Sequence, residues 1–105
     1  MTTTTTYNGW TNYETWNIAL WLGNEEPSYR YWRSVTQECW EEAEADAVFT
    51  QQENARIALA DRLRDEITEA NPLAGEAAMW SDLLAAALSE VNWYEIAENW
   101  LEDVT

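Results

Sequence analysis

The sequence predicts an all-α fold, a compact bundle of about five helices around a buried N-terminal helix. Three observations predict it. Apolar residues recur at helical spacing in five separate stretches, and nowhere do they alternate with polar residues as in a half-buried strand. Four of those stretches open on a capping or first-turn signal, at Thr11 or Asn12, at Asn24 to Pro27, at Thr50 and at Asn92. The breaks between stretches carry Gly23, Asn71-Pro72 and Gly75, residue types that end helices or turn the chain.

The first helix is read within the stretch Trp10 to Asn24. Its start is written twice, as Thr11 with Glu14 and as Asn12 with Thr15, and Gly23 is its stop. Tyr13, Trp16, Ile18, Ala19, Leu20, Trp21 and Leu22 cover nearly its whole circumference. A helix apolar all round belongs in a core, so this one is placed at the centre with neighbours on several sides. Ahead of it, Thr2 to Thr6 form a low-complexity tail, expected to be disordered through residue 6, with a single helical domain over 7–105. Asn8-Gly9 is a turn signal able to fold Tyr7 and Trp10 back onto the helix.

The second helix starts near Pro27, whose missing N–H costs nothing in a first turn, and runs to the Ala43–Ala47 region. Its inward stripe is Tyr29, Trp32, Val35, Thr36, Cys39, Trp40 and Ala43. The third, from the Thr50/Glu53 capping box to about Ala70, turns Leu59, Ala60, Leu63 and Ile67 inward. The fourth, about Glu76 to Ser89, has Trp80, Leu83, Leu84, Ala87, Leu88 and Val91 on one side. The fifth opens on Asn92 with Glu95, carries Val91 and Ile96 at staple positions, and turns Trp93, Ile96, Ala97, Trp100, Leu101 and Val104 inward.

The opening N-Y-E-T-W-N-I-A-L-W-L-G-N-E-E, preceded by Y-N-G-W, resembles the start of a group of small acidic proteins encoded by phages and plasmids, which read N-x-E-T-W, then L-W, then N-(D/E)-E. The resemblance implies a mobile-element origin. It assigns no activity and no site residue.

Charge separates the possible partners. Twenty Asp and Glu stand against five Arg, with no Lys and no His, for a formal net charge of −15. Solubility of a small domain needs a magnitude of only ~2 to 8, and surplus like charge on a compact body opposes folding. Nucleic-acid phosphates and anionic membranes would repel such a surface, so neither is expected as a direct partner. The natural partner is cationic. A lone Cys39 forms no intrachain disulfide, and the Thr-rich start lacks the pattern of a secretory signal, so the reading is cytoplasmic. Oligomeric state is left open.

The residues of most catalytic chemistries are missing: without His or Lys there is no imidazole base, no Schiff-base lysine and no H-E-x-x-H metal helix. Cys39 on an apolar stripe reads as a small buried hydrophobe. Carboxylate pairs could hold a metal or act as acid and base, but no EF-hand spacing is present. The expectation is a protein that is not an enzyme, with no catalytic residue, no metal and no cofactor.

The strongest functional signal is three rows of carboxylates at i, i+3 and i+4, Glu38/Glu41/Glu42, Asp61/Asp65/Glu69 and Glu95/Glu98/Glu102. Each exposed like-charge pair destabilises its helix by ~0.2 to 0.5 kcal/mol. Along rigid helices, carboxylates ~5 to 6 Å apart offer a cationic groove an array comparable with duplex phosphates. The leading expectation is therefore a phage-type inhibitor that binds the cationic DNA-binding surface of a host protein, a defence nuclease or a transcription regulator, and competes with DNA as a decoy. Tyr31, on the acidic face between Arg30 and Arg33, is either an interface anchor or a cover over a neighbouring loop. The alternative is a protein-interaction module that binds through an aromatic patch around Trp10 and Tyr31, its acidity serving solubility or a halophilic setting.

Overall fold

The computed structural model describes residues 7–104; the Thr-rich segment expected to be disordered lies outside them. The chain forms α1 (Tyr13–Asn24), α2 (Glu26–Glu42), α3 (Gln51–Glu69), α4 (Met79–Ser89) and α5 (Trp93–Glu102). No β-strand occurs among the described residues, only an isolated bridge between Tyr7 and Trp10. The fold class is the predicted one. Its centre is not.

The core is the contact between α3 and α5. Leu59 and Leu63 from α3 meet Ile96 and Leu101 from α5, all fully buried, and α2 closes over them with Trp32, Val35 and Cys39. Of α1 only Thr15 is buried, while Leu20 is 38% and Trp21 63% exposed. Helix α1 lies on α2 and α5 and presents its far side to solvent. All-round apolarity misleads here because much of it is Tyr and Trp, whose polar atoms suit a boundary position. Tyr13 and Trp16 pack at tilted or edge-on angles against each other and against Tyr7, with centroids 4.9–5.5 Å apart. Covering the outside of α1 would also take a sixth element.

Local chemistry sets the ends. At Asn8 and Gly9, φ values of +48° and +88° build the two-residue turn that suits an Asn-Gly pair, and Tyr7 and Trp10 exchange backbone hydrogen bonds across it. Of the two possible caps on α1, Asn12 is used: its Oδ1 accepts the Thr15 N–H at 2.9 Å. Helix α1 runs one residue past Gly23. Helix α2 stops at Glu42, because Asp46 folds the following loop, its Oδ1 accepting the N–H groups of Phe49 and Val48. Those bonds, that of Phe49 foremost, hold the Asp46 carboxyl below its usual range. The Thr50/Glu53 box forms in both directions.

Helix α4 starts at Met79, three residues later than predicted, because residues 71–76 are spent in turns that end on Gly75 at φ +84°. It turns a different side inward, too. Ser81 is buried, its hydroxyl held to the Glu76 and Ala78 carbonyls, and Leu84 and Leu88 are half-buried while Met79, Trp80 and Leu83 are exposed. The predicted burial of Trp80 and Leu83 is thus overturned.

The fold predicts an ordering of stabilities. Leu63→Ala should lower unfolding free energy in urea by about 2–5 kcal/mol, whereas Leu20→Ala should lower it by under about 1 kcal/mol. Equal losses would return α1 to the centre.

Candidate acidic and aromatic interface

The carboxylate rows are on the surface as predicted, but arginines hold part of each. On α2, Glu38 lies 3.6 Å from Arg62, which reaches across from α3, while Glu41 and Glu42 pair with no arginine among the described residues. Arg64 clamps Asp61 and Asp65 at 3.5 and 3.1 Å, and Glu69 stands apart at the end of α3. On α5, Glu98 is 3.8 Å from Arg56, Glu95 accepts the Thr11 N–H at 3.0 Å, and Glu102 is exposed without an arginine. The pairs across helices could not be read from sequence; Arg64 with Asp61, at i, i+3, could.

Tyr31 bridges helices. Its hydroxyl donates to Glu66, which also holds Arg62 at 2.9 Å, and its ring stands edge-on to Trp32 at 5.1 Å. About half the side chain stays exposed. Cys39 is buried, and that burial pushes its thiol pKa up. Among the described residues no three Cys, Asp or Glu side chains gather to hold a metal ion, and no helix is long and apolar enough to cross a membrane.

Sequence reasoning did not find the grooves on either side of Trp10. The Asn8-Gly9 turn folds Trp10 back so that it divides two hollows. One, of about 330 Å³, is lined by Trp10, Trp16, Leu20, Tyr29, Trp100 and Asp103, among others. The other, of about 310 Å³, is lined by Gly9, Trp10, Asn99 and the complete α5 row Glu95, Glu98 and Glu102. Aromatic faces attract cations, and carboxylates beside them add charge. No arginine lines either groove. The Asn8-Gly9 turn, read from the sequence as folding Trp10 back onto the first helix, was their one signal; the α5 carboxylates beside Trp10 had none.

The Tyr31 bond gives a pH prediction. Donation to Glu66 raises the Tyr31 pKa above its ordinary 10.0, with Arg62 opposing. A raised folded value means that the bond stabilises the fold fully below the unfolded pKa and stops doing so as pH rises through the folded one. Tyrosinate absorbance should show a late-titrating component that Tyr31→Phe removes, and the stability gap between parent and variant should close at alkaline pH.

No curated protein and no solved structure matches the chain. The model of a family of unknown function, DUF7249, matches residues 3–101, and the chain belongs to that family.

Proposed function

We propose that the protein is an acidic inhibitor that occupies the cationic DNA-binding surface of another protein and competes with DNA as a decoy. The observation that carries this reading is the fixed surface array of carboxylates on three helices of a body with net charge −15. Arginines lie beside Glu38, Asp61, Asp65 and Glu98 at 3.1–3.8 Å and leave these carboxylates at the surface. Glu41, Glu42, Glu69 and Glu102 offer charge that no arginine offsets. Inhibition is by occlusion and needs no chemistry. A phage or plasmid source, with a host nuclease or regulator as target in the host cytoplasm, fits the N-Y-E-T-W opening.

A second reading is favoured by the grooves at Trp10: an interaction module whose aromatic hollow supplies most of the binding. Tyr31 carries less of that reading, since its hydroxyl is committed to Glu66.

Both readings meet in one experiment. Immobilised protein should capture a DNA-binding protein from nuclease-treated lysate and displace labelled duplex from it, with an affinity that falls tenfold or more as salt rises. Replacing Glu38, Glu41 and Glu42 together by Gln, or Glu95, Glu98 and Glu102 likewise, should weaken the complex for at least one row. Full binding by both triple variants, with loss in Trp10→Ala, would replace the decoy by the aromatic module.

A further inference from the structure

Helix α4 is the part of this surface that the acidic rows do not explain. Leu84 and Leu88 face α1 across a narrow apolar groove shared with Tyr13 and Ile18, and Ser81 is buried beneath the first turn. On the other side Met79, Trp80 and Leu83 are 63%, 65% and 55% exposed. At ~100° per residue these three fall on one stripe with the exposed Ala86. Together they make an apolar patch of the size that is the largest on a typical monomer and is often functional.

Charge identifies the occupant. Asp82 is the one ionisable residue between Met79 and Ser89, in a chain that carries 20 carboxylates. A cationic partner gains nothing from a neutral apolar stripe when carboxylate rows are on offer elsewhere. A second copy of this chain is repelled by every acidic face, and least where charge is missing. We propose that α4 is a homodimerisation surface on which two copies pair α4 against α4 about a twofold axis.

The chemistry of the stripe is self-complementary. In an antiparallel pair the small Ala86 of one copy comes opposite the Met79–Leu83 half of the other, so large meets small and the axes can approach to ~8–10 Å. Opposite helix ends then lie side by side, which suits both dipoles. Asp82 falls at the margin of the stripe. The exposed parts of Met79, Trp80 and Leu83 come to roughly 300–400 Å² per copy, about half of the ~800 Å² per partner in a standard interface. The dimer is therefore weak and reversible.

Salt gives this interface a signature opposite to that of partner capture. Screening weakens the repulsion between two bodies of −15 each, so dimerisation strengthens with salt, whereas ion pairing with a cationic target weakens. Sedimentation equilibrium over about 1–300 µM, at about 50 and 500 mM NaCl, reads both signs. The expected result is a monomer–dimer equilibrium shifted towards dimer at the higher salt, and lost in Trp80→Ser/Leu83→Ser with circular dichroism unchanged. A parent chain monomeric at the highest concentration and salt would overturn the proposal even if the double variant does not fold. So would a dimer that dissociates as salt rises, or one that survives the double substitution. None of these outcomes bears on the decoy reading, which is read from DNA displacement.

Discussion

Thr15, fully buried near the start of α1, joins the two helix beginnings on which this architecture depends. Its hydroxyl donates to Asn12 Oδ1 at 2.6 Å and accepts the Asn92 backbone N–H at 2.8 Å. Asn12 sends its own amide to the Glu90 carbonyl at 2.7 Å, and the Thr11 N–H goes to Glu95. Each helix start leaves four N–H groups without an intrahelical partner, and burying them unpaired would cost more than a domain of this size can spare. Here α1 and α5, nearly the whole chain apart, help to cap one another. The junction fixes α1 on α5 and holds Trp10 beside the α5 carboxylates.

That cross-capping also shows where the sequence was legible. The periodicity of α2, α3 and α5 identified Trp32, Leu59, Leu63, Ile96 and Leu101 as core, because a narrow apolar stripe on an otherwise charged helix can face only one way. The Thr50/Glu53 box formed as written. Asn92 caps α5 as expected, accepting the Glu95 N–H at 3.1 Å, but Glu95 does not turn back to Asn92; it binds Thr11 instead. Helices α1 and α4 were misplaced for one shared reason. A helix apolar over much of its circumference does not say which side its neighbours cover. In α4 the buried residue is Ser81, whose hydroxyl binds the Glu76 and Ala78 carbonyls at the helix start, an interaction with no signature in hydrophobic spacing.

Of the candidate interface, the carboxylate rows were legible and their neutralisation was not. Glu38 meets Arg62, and Glu98 meets Arg56, only because α2, α3 and α5 pack as they do. Four arginines are drawn into ion pairs with carboxylates, which relieves part of the self-repulsion that a charge of −15 imposes and leaves an acidic exterior of uneven strength. The described surface thus carries carboxylate rows on α2, α3 and α5, while α4 has Asp82 as its one ionisable residue.

The account rests on the two caps acting as one unit, and a double-mutant cycle tests that most directly. Asn12→Ala and Asn92→Ala remove the capping side chains of α1 and α5, each costing about 1 kcal/mol if the caps were local. Independent caps would give additive losses, within about 0.5 kcal/mol. The junction predicts a coupling clearly above that in urea unfolding, because the Asn12 side chain positions the Thr15 hydroxyl that accepts the Asn92 backbone N–H, while the Asn92 side chain reaches back to Thr11. Additive losses would contradict the account and reduce the junction to two separate helix ends that lie side by side.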